Sequence, residues 1–374
     1  MKKVLIISYL ILMLFILTSC DLLHLFSNHY TCELFKDAIY FIDTDGSNLR
    51  KLVSLDHIES NCEDDTIDLL PGARLLLFTP DGNKIIYCTN PYESNNNSLY
   101  SVNCDGSDNT LLTEDLNVLY NYGGISISCI ESKIIFIGNV KYLNDKSEKF
   151  SDIFMVNLNG SNLNNITNTY GINEKNPRFL PNGEDIIYSS INHLNDLKSY
   201  SINKLHLNSG SIDTLVFNNE YAYKHLLLSQ EGTQIYYVVY KDNSYSFFAM
   251  NSTGIHQVQL YENIPSINNT PSISSDGLKI VYVSNHNLCI MNTNGSGINQ
   301  IETSLYYPCY PTFSQGGTKI LYSGSAINDS IYIININGSN EMTIHEGFMP
   351  ALSPDENKIA FSGYYFYKTY DYWE

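Results

Sequence analysis

Two hairpin turns decide the fold of this chain, and residues 274–296 contain both in the stretch SSDGLKIVYVSNHNLCIMNTNGS. The turn signals are Asp276-Gly277 and Asn294-Gly295, and apolar runs around Ile280 and Ile290 lie between them. Asp-Gly and Asn-Gly accept the positive φ of tight β-hairpins, so each marks an antiparallel reversal. The apolar residues are consecutive rather than alternating, which is typical of strands covered on both faces.

Both turns recur along the chain. The first turn is found at residues 79–82, 180–183, 229–232, 274–277, 314–317 and 353–356, with a copy at 131–132 that lacks the glycine. The second turn is found at residues 45–47, 105–107, 159–161, 208–210, 252–254, 294–296 and 337–339. Turns that recur at a nearly regular spacing are typical of proteins built from repeated structural units. Two hairpins per repeat give four strands, which is one propeller blade.

The two ends of the chain carry complementary half-repeats. Residues 38–49 form the second half of a blade with no first half before it, and residues 351–364 form a first half with no second half after it. We therefore predict an all-β fold, a single β-propeller of seven four-stranded blades. The N- and C-terminal half-blades pair in it and so remove an open sheet edge. Because the repeat around Glu131 is the least regular, a ring of six blades is the alternative.

The two turn signatures together resemble the TolB-like propeller repeat. The match is carried by Thr312-Phe313-Ser314 with 319–322, and by 288–292 with Asn294-Gly295-Ser296; the resemblance covers about residues 37–364. Residues 39–48 also resemble the YWTD propeller repeat of receptor ectodomains. The resemblance implies a ring that binds a protein or another ligand over its central channel. It carries no further function, because this architecture serves many roles.

TolB itself has an α/β domain before its propeller, whereas only residues 21–36 precede the first repeat strand here. We therefore do not expect the partner contacts that TolB makes through that domain to carry over.

The N-terminus has the layout of a secretory signal peptide. Lys2 and Lys3 precede the apolar run 4–17, and Leu17-Thr18-Ser19-Cys20 follows it. The run has 14 residues, shorter than the roughly 20 that a membrane-spanning helix needs. A retained membrane helix is the alternative. Residues 17–20 resemble the lipobox of bacterial lipoproteins, which implies lipidation of Cys20 and cleavage before it. We predict a signal peptide over 1–19, a lipidated tether over 20–36 and the propeller over 37–374.

The charge balance and the cysteine content restrict the classes of partner and of metal or redox motif that we expect. Without Lys2 and Lys3 the chain has 19 basic and 39 acidic residues. It lacks the basic surface that nucleic acid requires, so no nucleic-acid partner is expected. Apart from Cys20, the seven cysteines form no CxxC pair, so a zinc knuckle or a thioredoxin-type motif is unsupported. A disulfide between Cys32 and Cys62 is one possibility outside the cytoplasm.

The sequence motifs of several enzyme classes are missing. The nine histidines are scattered without HExxH, and no GxSxG occurs. Asp43-x-Asp45-Gly46 places glycine at position 4 and Ser54 at position 12, which does not fit an EF-hand loop. We therefore predict a protein that is not an enzyme, with no metal and no cofactor.

The segments that lead into the innermost strands are expected to line one mouth of the channel. They bring together a cationic and aromatic set of candidate partner-binding residues: Arg178, Lys224, His225, Tyr307 and Tyr310. Arg and Tyr are enriched at binding hot spots, and the chain has only three arginines.

The leading hypothesis is a non-catalytic lipoprotein of the bacterial cell envelope, lipid-anchored on the extracytoplasmic side of a membrane. Its propeller would bind an envelope protein at one face. The alternative is a propeller that binds a carbohydrate or small ligand for uptake or sensing. The choice between inner and outer membrane stays open.

Overall fold

The computed structural model describes residues 30–55, 73–89, 97–113, 116–119, 124–141, 149–194, 198–305, 307–325 and 329–372. All regular secondary structure in these ranges is β-strand, as predicted. Within them no helix has the length and apolar character needed to cross a membrane. The predicted signal peptide, Cys20 and Cys62 lie outside the described residues.

The chain divides into two compact units. The larger unit comprises residues 37–55 and 71–363 and contains the repeats. The smaller unit comprises residues 1–36, 56–70 and 364–374. Its described residues, 30–36 and 364–372, are β-strand, and residues 30–36 belong to the segment that we predicted as tether.

Seven antiparallel sheets make up the repeats, and they are numbered here as blades 1 to 7. The chain begins with β1 (Tyr30–Asp43) and β2 (Arg50–Leu55), which belong to blade 7. The strands of blade 1 are β3 (Arg74–Phe78), β4 (Lys84–Thr89), β5 (Ser98–Asn103) and β6 (Thr110–Leu111). Those of blade 2 are β7 (Asn117–Leu119), β8 (Ile125–Ile127), β9 (Lys133–Lys141), β10 (Lys149–Asn157) and β11 (Asn164–Asn165).

Blades 3 to 6 each contain four consecutive strands. Blade 3 has β12 (Ile172–Phe179), β13 (Asp185–Asn192), β14 (Ser199–His206) and β15 (Ile212–Asn218). Blade 4 has β16 (Ala222–Leu228), β17 (Gln234–Lys241), β18 (Ser244–Asn251) and β19 (Val258–Ile264). Blade 5 has β20 (Asn268–Ile273), β21 (Lys279–Ser284), β22 (Asn287–Asn292) and β23 (Asn299–Ile301). Blade 6 has β24 (Tyr307–Phe313), β25 (Lys319–Ser325), β26 (Asp329–Asn335) and β27 (Met342–Glu346).

Blade 7 is built from both ends of the chain. The last two strands are β28 (Phe348–Leu352) and β29 (Lys358–Tyr372), and the strand order in the sheet is β2-β1-β29-β28. Across the junction, Lys358 Nζ lies 3.1 Å from Asp43 Oδ1. The rings of Tyr40 and Phe361 stack with centroids 5.5 Å apart. The predicted pairing of the half-blades is confirmed.

Each boundary between consecutive blades has its own apolar cluster, and there are seven such clusters among the described residues. Neighbouring residues of one strand contribute to opposite boundaries. Ile85 packs against blade 7, whereas Ile86 packs against blade 2. The consecutive apolar runs of the sequence therefore cover both faces of every blade. Seven blades are confirmed, and the six-blade alternative is wrong.

Blade 2 departs from the regular pattern. Its innermost position is shared by β7 and β8, both of which pair with β9. The turn after β8 lacks the glycine that the corresponding turns of blades 1, 3, 4, 5 and 6 contain. It is closed by the backbone N–H groups of Ile130 and Glu131, which donate to Ser128 Oγ.

The second type of turn has a common hydrogen-bond pattern. At Asp45-Gly46-Ser47, the N–H and the hydroxyl of Ser47 donate to Asp45 Oδ1 at 2.9 and 2.6 Å, and Gly46 has a φ of 85°. Residues 105–107, 159–161, 294–296 and 337–339 repeat the pattern. These segments are hairpin turns, as predicted.

Candidate functional site

A β-bulge interrupts the innermost strand in six of the seven blades. In each, one residue has a left-handed backbone with φ between 36° and 66°: Leu75, Asn176, His225, Asn269, Tyr310 and Met349. A bulge bends the strand and changes the direction of its side chains. These six residues therefore occupy equivalent positions around the channel.

Three prolines directly follow bulge residues. Pro177, Pro311 and Pro350 lie inside β12, β24 and β28 rather than at their first residues. There the ladder is interrupted between Lys175 and Arg178 in β12, and correspondingly in the other two strands. A residue without an N–H group is tolerated at a bulge. The sequence signal that was missed is a proline inside the strand rather than before it.

The bulged strands surround a cavity of about 700 Å³ at one mouth of the channel. Every blade contributes to its wall, with the following residues: Leu75, Leu76, Leu77, Ile125, Arg178, Tyr245, Ile267, Asn268, Asn269, Thr270, Tyr310, Pro311, Thr312, Met349 and Pro350. Blades 1, 2 and 7 supply aliphatic, methionine and proline side chains. Arg178 and the polar and aromatic side chains come from blades 3 to 6. We call this space the mouth cavity.

Arg178 is the one basic residue among the described residues that line the mouth cavity. Its Nη1 donates to the carbonyl of Pro177 at 2.9 Å and to that of Ile125 in blade 2 at 3.4 Å. Burial lowers the pKa of the guanidinium to about 10. Arg178 therefore keeps its charge at neutral pH.

Lys224 and His225 are adjacent in β16 of blade 4. Lys224 is half-buried, whereas His225 is only 2% exposed. Burial and the nearby charges of Arg178 and Lys224 lower the pKa of His225 to about 3. His225 is therefore neutral at pH 7, and it is buried beneath the mouth cavity rather than exposed in it.

The two candidate tyrosines lie in β24 of blade 6. Tyr310 is the bulge residue, is 40% exposed and lines the mouth cavity. Tyr307 is 46% exposed and meets the ring of His286 edge-on, with centroids 4.3 Å apart. It lies three residues before Tyr310 and is not part of the cavity wall. Arg178 and Tyr310 thus share the cavity, with Lys224 and Tyr307 in the strands that surround it.

A pair of buried carboxyl groups lies between blades 2 and 3. Asp152 in β10 is fully buried and Glu174 in β12 is 1% exposed, and the two carboxyl groups interact electrostatically. Asn165 Nδ2 donates to Asp152 Oδ2 at 2.6 Å, and Thr169 Oγ1 donates to Glu174 Oε1. Burial, with a smaller contribution from Asp152, raises the pKa of Glu174 to about 8. Neither carboxyl lines the mouth cavity, so the pair is part of the scaffold.

A second cavity of about 850 Å³ lies among the turns of blades 1 and 2. Its charged groups are engaged with one another. Lys84 Nζ lies 2.8 Å from Asp108 Oδ2, and Lys133 pairs with Glu131. Asp81 accepts hydrogen bonds from Thr79 and Asn83. Because these charged groups already pair with one another, they are less available to a ligand, and we take the mouth cavity as the candidate site.

The part of the chain that the structure describes contains no candidate metal site. No group of three or more His, Cys, Asp or Glu side chains there could hold a metal ion. Free thiols in the described part of the chain include those of Cys104, Cys129, Cys289 and Cys309.

Comparison with known proteins places the fold. No protein-family model and no curated protein matches the chain. Similar solved structures include a TolB from Agrobacterium tumefaciens, with 13% identity over 89% of this chain and 99% of that chain and a TM-score of 0.49. They also include an oligogalacturonate lyase from Vibrio parahaemolyticus, with 13% identity over 69% of this chain and 76% of that chain and a TM-score of 0.54. A prolyl endopeptidase shares 10% identity over 85% of this chain and 48% of that chain, with a TM-score of 0.58.

At 10–13% identity these likenesses show the fold alone, and the lyase and the endopeptidase are the two of these structures with a TM-score above 0.5. The predicted β-propeller fold is confirmed. Because both of these neighbours are enzymes but the likeness is one of fold, it does not decide between a binding protein and an enzyme for this chain.

Proposed function

We propose that this protein is a non-catalytic lipoprotein of the cell envelope whose propeller binds a protein partner at the mouth cavity. The observation that carries the proposal is the cavity itself, which has an aliphatic side and a side with Arg178 and Tyr310. A concave, largely apolar site with a few converging polar groups is the usual form of a binding site. Arginine and tyrosine are the side chains that most often supply binding energy there.

The composition of the cavity wall supports a non-catalytic role. Its described residues include no Asp, Glu, His, Cys or Lys. General acid–base catalysis requires a group whose pKa lies near the working pH, and Arg178 with a pKa of about 10 stays protonated. A wall of this kind can hold a ligand and is poorly equipped to move a proton.

Replacing three mouth residues tests the binding role. We expect Arg178→Gln/Lys224→Gln/Tyr310→Asn to reduce partner capture from solubilised envelopes at least tenfold, since each change removes a charge or an aromatic contact. Asparagine is chosen for Tyr310 because Asn176 and Asn269 adopt the same left-handed backbone in other blades. Capture is measured by pull-down, and the fold is checked by the melting temperature.

The control is Ile130→Asn/Leu278→Asn, which changes exposed residues in turns that follow the innermost strands of blades 2 and 5. It should capture the partner as the parent does. Undiminished capture by the folded triple variant would contradict the proposal.

The envelope location rests on the N-terminal signal and is part of the same proposal. Lipid on Cys20 would anchor the protein, and two or three acyl chains suffice for stable attachment. We expect Cys20→Ser to release the protein from membranes or to leave it unprocessed. Membrane fractionation and the electrophoretic mobility of the product measure this outcome. A variant that fractionates and migrates as the parent does would contradict the lipid anchor.

One observation favours a second candidate function, the binding of a carbohydrate or small ligand. The cavity of about 700 Å³ falls within the 300–1,000 Å³ that is typical of small-molecule pockets. A glycan array probed in parallel with the pull-down separates the two functions. Specific glycan binding that is lost in the triple variant, without capture of any protein, would favour the second.

A further inference from the structure

Three residues of the mouth cavity are of a type that rarely adopts their backbone conformation. Eighteen described residues other than glycine have a positive φ, and fourteen of them are Asn, Asp or His, which adopt it most readily. The other four, with φ between 51° and 66°, are Leu75, Tyr310, Met349 and Glu356. The first three are bulge residues and line the mouth cavity.

Folding contacts account for some of these exceptions better than for others. Glu356 lies in a turn of blade 7, and its carboxylate accepts a hydrogen bond from the backbone N–H of Gly316 in blade 6. Leu75 packs partly against the apolar cluster between blades 1 and 2. Among the described residues, Tyr310 and Met349 belong to none of the seven apolar clusters. Packing within the fold therefore explains these two side chains least.

The equivalent positions of other blades show that a less strained residue fits the bulge. Asn176 of blade 3 and Asn269 of blade 5 have φ values of 55° and 64°. A left-handed backbone is unfavourable for most side chains, and Asn is one of the exceptions. Strained conformations cluster at sites that hold ligands. A contact with a ligand therefore explains the bulky side chains of Tyr310 and Met349 better than folding does.

The three bulky residues lie on consecutive blades, and we call them the apolar arc. Blade 7 lies between blades 6 and 1, and its innermost strand β28 contacts both β24 and β3. The N–H of Leu75 donates to Sδ of Met349 at 3.2 Å. Both side chains are partly exposed, and Tyr310 is 40% exposed. Leucine and methionine side chains have no hydrogen-bond donor, so burying a polar group against them is unfavourable.

We propose that the apolar arc of Leu75, Tyr310 and Met349 holds an apolar side chain of the protein partner. Methionine suits this role because its flexible, polarisable thioether adapts to the shape of a bound group. The tyrosine ring adds a large contact area. The inference rests on the proposed function, because the side chain belongs to its protein partner, and it adds the chemistry of the group that is bound.

Methyl NMR of the full-length protein tests the apolar arc, with isotope-labelled methionine methyl groups and with lipid nanodiscs in place of competing detergent. The probe is N-acetyl-leucinamide, and N-acetyl-asparaginamide is its polar counterpart. We expect the methyl resonance of Met349 to shift saturably with the leucine probe. The response to the asparagine probe should be about tenfold weaker, since only the leucine probe buries an aliphatic side chain.

Met342 is the internal control for this titration. It is 41% exposed and lies in β27, the outermost strand of blade 6, so its methyl resonance should not shift. Absence of a shift at Met349, or equal shifts at Met349 and Met342, would overturn the proposal.

Matched substitutions separate the apolar arc from the proposed function. Met349→Asn should lower partner capture about tenfold, and it should melt no lower than the parent, because asparagine favours the left-handed backbone. Met342→Asn should change neither quantity. Full capture by Met349→Asn, or a large drop in its melting temperature, would contradict the proposal. If the leucine probe binds but no protein is captured, the apolar site stands and the protein partner is wrong. If a protein is captured without probe binding, the apolar site is wrong.

Discussion

Truncating the chain after Ser353 is expected to leave no cooperatively folded protein. The truncation removes β29, which lies between β28 and β1 in blade 7. Ile359, Ala360 and Phe361 are fully buried and contribute to the boundaries with blades 6 and 1. Fully burying one isoleucine or phenylalanine side chain contributes about 1.5–3 kcal/mol. The truncation removes several such contributions and exposes two strand edges. The free energy lost is therefore comparable with the total stability of a protein, roughly 5–15 kcal/mol.

The matched control for the truncation ends after Gly363 instead. It keeps the part of β29 that belongs to the larger unit, so a single cooperative transition should be retained. Phe361→Ala in the full chain should cost about 3–5 kcal/mol, because its ring is fully buried and stacks on Tyr40. The measurements are circular-dichroism melting and limited proteolysis. An unchanged melting temperature after truncation at Ser353 would mean that the ring closes elsewhere.

Glu174→Gln is expected to make the protein more stable at pH 8 and to remove one component of its pH dependence. The pKa of Glu174 is about 8 in the folded protein, against an ordinary value of 4.5. The folded state therefore holds this proton more tightly than the unfolded state does. The contribution to stability is complete below pH 4.5 and is lost as the pH rises to about 8. Over this window the free energy of unfolding falls by about 1.4 kcal/mol per pH unit.

Glutamine reproduces the neutral form of the side chain. Its amide can donate to Asp152, while its oxygen accepts the hydrogen bond from Thr169. The free energy of unfolding is measured by urea denaturation at pH 5 and pH 8 for the parent and the variant. Glu184→Gln, which changes an exposed acid of the same blade, should keep the pH dependence of the parent. If Glu174→Gln also keeps that dependence, Glu174 is already ionised in the folded protein below pH 8.

The fold could be predicted because its signals are local. The Asp-Gly pairs of the sequence predict the positive φ of Gly46 and Gly277. Consecutive apolar pairs such as Ile85-Ile86 predict strands that are covered on both faces. The closure of blade 7 followed from half-repeats at the two ends. The split of the innermost strand of blade 2 was not predictable, because neither an Asp-Gly nor an Asn-Gly pair separates β7 from β8 in the sequence.

The site could be predicted only in part. The strand spacing placed Arg178 and Tyr310 at the channel, and both line the cavity. His225 was expected at the surface with them, but as the bulge residue of its strand it is buried and does not line the cavity. Asp152 and Glu174 meet across a blade boundary, and strand periodicity alone does not reveal which faces meet.

Site-specific photo-crosslinking in native envelopes tests the central claim most directly, that the mouth of the propeller binds a partner. A photoreactive residue is placed at Tyr307, beside the mouth cavity, or at Leu278, which is 61% exposed in the turn that ends the innermost strand of blade 5. The account predicts a discrete protein adduct from position 307 and none from position 278. An adduct from position 278 alone would contradict it.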